Sequence, residues 1–258
     1  MEILKIYNNP ERAEWPSLTE RFTREEEEIT RQVAEILAEV KSGGDRSLRE
    51  ITRRIEGREP RTFEVSAETR AAAETLIPAA LKEALATAKS NIETFHRAQL
   101  APEVDSEPMP GVRCVQRALP IGRVGLYIPG GKAPLFSTVL MLAVPAAIAG
   151  CRETVLCTPP SPDGSVNPAV LWTAALCGVS SVFKAGGIQA VAAMTFGTDS
   201  IPAVYKIFGA EWFMASSGTV FSTSDYNRNR GRNKPFVVKY SCVSARRRTA
   251  PRGKPSKN

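Results

Sequence analysis

Apolar positions follow two different rules along this chain, and the rule changes near residue 112. Ile29, Val33, Ile36, Leu37 and Val40 recur at the helical period, so one face of an amphipathic helix is predicted there, closed by Gly43-Gly44. Thr23 with Glu26 makes a capping-box pattern at its start. Asp45 then caps a second helix through Leu48, Ile51 and Ile55. Pro78 divides an alanine-rich stretch, and because proline suits the first turn of a helix, a further helix is predicted from there to about Gln99. Residues 101–111 read as a loop, with prolines at 102, 108 and 110 and no apolar period.

From Val112 short β-type runs alternate with helical ones. Val112 to Gln116, Val124 to Ile128, Thr154 to Cys157, Ser181 to Lys184 and Val204 to Ile207 read as strands. Phe136 to Ala149, a segment opened by Asn167-Pro168 and closed by Gly178, and a short run at Gln189–Met194 read as helices. This alternation predicts an α/β fold, with an N-terminal helical segment followed by an incomplete Rossmann-like parallel sheet. After Gly209 no apolar period is sustained, so a disordered basic C-terminal tail is expected. The expected organisation is a helical region at 1–111, a Rossmann-like nucleotide-binding domain at 112–209 and a tail at 210–258.

Charge supports that last boundary. Of 34 Lys+Arg and 27 Asp+Glu, residues 211–258 hold 11 and 2, which leaves 23 and 25 in residues 1–210. A basic patch normally points to nucleic acid or an anionic surface, and here that inference applies to the tail alone. The longest apolar stretch, Val139 to Ala149, is too short to span a membrane and reads as a buried helix. No membrane or secretory role is expected. Five cysteines with no Cys-x-x-Cys spacing suit a reduced, cytoplasmic chain.

Candidate chemistry is sparse. Tyr127-Ile128-Pro129-Gly130-Gly131 ends a strand and leads into a helix, which puts it at the carboxyl edge of the sheet, where open α/β folds bind ligands. Both Gly-x-Gly-x-x-Gly and the Walker pattern are absent, so a phosphate-binding turn and an ordinary tight turn remain open. His96 is the single histidine; it is either a proton-transfer group or a packing residue of an amphipathic helix. Glu25–Glu28 suit a helix N-terminus, or else a metal or a basic partner. Cys151 and Cys157 flank a buried strand and read as core residues rather than nucleophiles. One histidine and scattered cysteines leave no ligand set for zinc.

The segment Gly122-Arg123-Val124-Gly125-Leu126-Tyr127-Ile128-Pro129-Gly130-Gly131-Lys132, with Lys184-Ala185-Gly186-Gly187-Ile188-Gln189-Ala190 one βα unit later, closely resembles the cofactor-binding half of histidinol dehydrogenases. The likeness covers about residues 20–209. It implies NAD as cofactor, contacted by Tyr127 and Gln189, and two successive oxidations that convert L-histidinol to L-histidine in a homodimer. It further implies a zinc site, a histidine base and a glutamate, all at family positions beyond the matched segment. A third NAD contact, an asparagine after a Lys-Ile-Phe strand end, has no counterpart in Lys206-Ile207-Phe208-Gly209-Ala210. The expectation is therefore a truncated or frame-shifted, inactive member with no catalytic or metal residues of its own. The alternative is a non-catalytic α/β scaffold whose tail binds nucleic acid or another polyanion.

Overall fold

The computed structural model describes residues 7–19, 26–130 and 133–209, together with two short strands at 237–239 and 246–247. Four α-helices and three short strands precede the main parallel sheet among the described residues. First come α1 (Trp15–Thr19), α2 (Glu26–Glu56), α3 (Ala67–Ala72) with a following 3-10 turn, α4 (Ala79–Ala98) and the strand β1 (Val104–Met109). Then come β2 (Val112–Gln116), β3 (Ala118–Leu119), β4 (Arg123–Tyr127), α5 (Phe136–Ile148), β5 (Glu153–Thr158) and α6 (Pro168–Leu176). The described order closes with β6 (Ser181–Lys184), α7 (Gly187–Phe196), β7 (Lys206–Gly209), β8 (Val237–Lys239) and β9 (Arg246–Arg247).

The main sheet runs β6-β5-β4-β7-β8, and every pairing in it is parallel. The chain steps outward from β4 to β5 to β6 and then returns to the other flank of β4 for β7. The order thus reverses beside β4, and that reversal is where an open α/β sheet leaves a crevice at the carboxyl ends of its strands.

Side chains alternate across the sheet with the period of two that a strand imposes. Val124, Leu126, Ile128, Leu156, Val182 and Phe208 enter one core, built with α4, α5 and α6. Tyr127, Val155, Cys157, Phe183 and Ile207 enter the other, built with α2 and α7. The N-terminal segment is stitched to the edge strand as well: the Val65 N–H donates to the Val182 carbonyl at 2.9 Å, and the Lys184 N–H to Phe63 at 2.6 Å.

Several sequence-based expectations match these elements closely, including the helix opened by Pro78, the helix between Asn167 and Gly178, and the strand Ser181–Lys184. Others differ for physical reasons. Residues 101–111 are not all loop, because β1 pairs antiparallel with β2 in an exposed hairpin whose strands carry no buried positions. The last core strand begins at Lys206 rather than Val204, since Val204 donates its N–H to the Met194 carbonyl ahead of the ladder. Gly44, at φ 54° and ψ −133°, kinks α2 where the first helical run was expected to stop. Beyond the kink Leu48 and Ile51 are buried, but Ile55 is exposed.

Thr23 and Glu25 lie outside the described residues, and so do the side chains of Glu26–Glu28. Most of the basic tail lies outside them too. Within its described part, β8 pairs with β7 through Ile207 and Val237, and β9 pairs antiparallel with β3. No helix among the described residues is long and apolar enough to cross a membrane.

Candidate functional site at the carboxyl edge of the sheet

Three strand ends meet beside the topological reversal. β4 ends at Tyr127 and continues through Ile128 and Pro129 to Gly130, whereas β5 leads into Pro159 and β6 into Ala185-Gly186. The loops are packed on one another so tightly that a Cβ on Gly130 would fall 2.6 Å from Pro159 Cγ, and one on Gly186 would fall 2.6 Å from Pro159 Cβ. These two glycines therefore serve the mutual packing of the loops. Gly131 and Lys132 lie outside the described residues.

Tyr127 and Gln189 are brought to the same place, the first turn of α7. The Tyr127 hydroxyl accepts a hydrogen bond from the Gly187 N–H at 2.9 Å, one of the amides that a helix start leaves without an intrahelical partner. Gly187 itself adopts φ +61°, and a Cβ there would lie 2.5 Å from Gln189 Oε1. Only glycine fits, because that conformation is costly for an L side chain and the space is already taken. Gln189 is 2% exposed, an unusual degree of burial for an amide, and its Nε2 donates to Glu56 Oε1 at 3.1 Å.

Glu56 enters from the far end of α2, where it also accepts from Arg58 Nη2 at 2.5 Å. Sequence reasoning passed over both residues. The run Glu56-Gly57-Arg58 looks like a helix ending on a left-handed glycine, Gly57 at φ 68°, and nothing local marks Glu56 as the partner of a residue 133 positions away. Gly209, at the end of β7, flanks the other side of Tyr127, with a Cβ there reaching 3.3 Å from Tyr127 Cβ.

The remaining candidates lie elsewhere. His96 is on α4, in the opposite layer of the sandwich from Tyr127, and its Nδ1 is 2.8 Å from Gln99 Oε1. Burial pushes the Cys157 thiol far up and the Cys177 thiol up to about 12, and it raises Cys151 as well. None of those three is an activated thiolate. Among the described residues no group of three or more His, Cys, Asp or Glu could hold a metal ion. A cavity of about 730 Å³ opens at the outer side of β6, lined by Glu64, Ser66, Asp163, Ser165 and Lys184 among others. It includes neither Tyr127 nor Gln189.

The edge thus carries a buried amide hydrogen-bonded to Glu56, and a helix start closely covered by Pro159, Tyr127 and Gln189. Comparison with known proteins agrees with the family suggested by the motifs. A family model for histidinol dehydrogenase matches residues 19–222, so the likeness runs past Gly209. A histidinol dehydrogenase of Bacteroides fragilis (strain ATCC 25285) is 50% identical over 206 residues, covering 80% of this chain and 48% of that protein. One of Escherichia coli (strain K12) is 54% identical over 183 residues, covering 71% and 41%. The crystal structure of histidinol dehydrogenase from Elizabethkingia anophelis superposes with a TM-score of 0.76 at 41% identity, covering 83% of this chain and 50% of that one. The chain thus spans about half the length of the relatives it matches.

Proposed function

The chain belongs to the histidinol dehydrogenase family, and from that premise we propose that it supplies a nicotinamide-dinucleotide site, with NAD held at the carboxyl edge of the sheet by Tyr127 and Gln189. The observation that carries the reading is their convergence on Gly187: one side chain binds its N–H, the other covers its Cα. When bound there, NAD supplies a hydride acceptor. The chain's own residues orient it and exclude water from one side of it.

The family reaction, oxidation of L-histidinol to L-histidine in two NAD-dependent steps, is not performed by these 258 residues alone in this reading. The base, the glutamate and the zinc ligands are assigned by the resemblance to positions that this sequence does not supply, and the one histidine lies on the other layer. Cytoplasmic location follows from the same family reading, which gives the homodimer to the full-length family and not to these residues by themselves. The scaffold with a nucleic-acid-binding tail is not favoured by the family match.

Calorimetric titration of NAD into the full chain tests the placement. Tyr127→Phe and Gln189→Ala are each expected to weaken binding about three- to tenfold, the span of one hydrogen bond. Unchanged affinity in both variants rejects the site.

A further inference from the structure

We infer that Glu56, with Arg58, is a positioning residue of the nucleotide site: it fixes Gln189 so that the amide presents its oxygen, an acceptor, to the ligand. The inference rests on the placement of NAD beside Gln189 and adds to it the orientation of that side chain. It also assigns the ligand a donor at the contact.

The argument begins with what each group can do. A carboxylate bound to a guanidinium accepts hydrogen bonds and donates none, whereas a glutamine amide can do either and is turned by whichever partner is strict. Glu56 is the strict partner. Its Oε1 lies 3.1 Å from Gln189 Nε2, and the Arg58 contact on Oε2 at 2.5 Å holds the carboxylate turned toward the amide. Both members of the Glu56–Arg58 pair are largely shielded, with side chains 19% exposed, so solvent screens them less than an open surface pair.

With Nε2 committed, Oε1 must face the other way. It lies over Gly187, 2.5 Å from where a Cβ would be, on the residue whose N–H the Tyr127 hydroxyl already takes. The acceptor is thereby set next to Tyr127 at the start of α7. Burial makes the arrangement consequential, because an amide turned wrongly at a site 2% exposed leaves a polar atom without a partner. On a dinucleotide the matching donors are ribose hydroxyls, the adenine amino group and the nicotinamide carboxamide. A 2′-phosphate is a poor match, since it brings acceptors and negative charge toward Gln189 Oε1 and Glu56.

The test uses the full chain and three ligands. Glu56→Gln keeps size and shape but lets the two amides pair in either sense, so NAD affinity is expected to fall about three- to tenfold while the thermal midpoint stays close to that of the parent. Gln189→Glu sets two carboxylates together and is expected to bind more weakly still. The double variant Glu56→Gln/Gln189→Glu restores a donor facing an acceptor, and is expected to recover most of the binding lost in Gln189→Glu. A merely structural role for Glu56 shows instead as a fall in the thermal midpoint of Glu56→Gln that parallels its loss of binding. In the ligand-free protein, the Gln189 side-chain amide signals in a nitrogen–proton NMR spectrum are expected to move in Glu56→Gln.

ADP-ribose distinguishes the sources of the donor. Retention of the Glu56→Gln effect with ADP-ribose places the donor on a ribose hydroxyl or the adenine amine, and its loss places it on the carboxamide. Where the effect is retained with ADP-ribose, NADP is expected to bind more weakly than NAD to the parent chain, with the difference narrowed in Glu56→Gln. If Tyr127→Phe and Gln189→Ala weaken NAD binding but Glu56→Gln leaves both affinity and the amide signals unchanged, the positioning role is overturned and the site stands. Loss of all three sensitivities overturns the site, and the role of Glu56 with it.

Discussion

At Asp45 one carboxylate joins two segments 155 residues apart. It accepts from the Ser200 N–H at 3.2 Å and from the Ser200 hydroxyl, so the start of the second half of α2 is tied to the loop after α7. Burial pushes its pKa up, but the hydrogen bonds from Ser200 and Thr198 and the charge of Arg49 outweigh that, and the net direction is down. The sign follows. A carboxyl whose native value lies below its unfolded value, about 3.9, stabilises the fold at neutral pH and loses that contribution as the pH falls through the native value. Asp45→Asn is therefore expected to lower the urea midpoint at pH 7, with the deficit shrinking below about pH 4. A deficit of equal size at neutral and acid pH would contradict the role of its charge. The local capping pattern made Asp45 conspicuous in the sequence. Its partner was not legible, because no spacing rule connects it to Ser200.

Among the elements, α2 shows how one periodic run divides in three dimensions. Leu48 and Ile51 are fully buried under the sheet, with Phe63 and α7 in the same core, while Ile55 is 55% exposed. Leu48→Ala is expected to cost about 2–5 kcal/mol, the range for emptying a packed leucine site. Ile55→Ala is expected to stay within about 0.5 kcal/mol. Urea denaturation of both variants checks the contrast, and equal losses would reject this orientation of the helix. The sequence placed the sheet strands well because Val124, Leu126 and Ile128 face one core and Tyr127 the other, a period of two bounded by turn residues. It placed β2 at Val112–Gln116 but missed its partner β1, whose Val104 and Met109 are exposed and whose alternation is broken by Pro108 and a register shift between Ser106 and Met109. The motifs singled out Tyr127 and Gln189, which the structure brings together at Gly187. Glu56 was hidden because its role depends on the far end of α2 meeting the start of α7.

For the molecule as a whole, the layering separates the sheet edge that bears Tyr127 from the one imidazole. Tyr127 belongs to the core shared with α2 and α7, whereas α4, which bears His96, packs with α5 on the opposite face of the same sheet. A general base must come within hydrogen-bond reach of the proton it removes, and a positioned one contributes about 10²–10⁴-fold. His96 instead has its Nδ1 within 2.8 Å of Gln99, on the wrong side of the strands. Holding NAD at the sheet edge would then lower no barrier, since binding that is equal in ground and transition states does not accelerate the chemical step. Full chain supplied with NAD, zinc and L-histidinol is accordingly expected to give no NADH above a control without protein, even at concentrations where calorimetry shows NAD bound. Steady NADH formation that disappears in His96→Ala would mean that the imidazole reaches the cofactor, and so that the two layers are not arranged as described. Formation that survives His96→Ala but is abolished by chelation would place a metal-dependent centre outside the described residues.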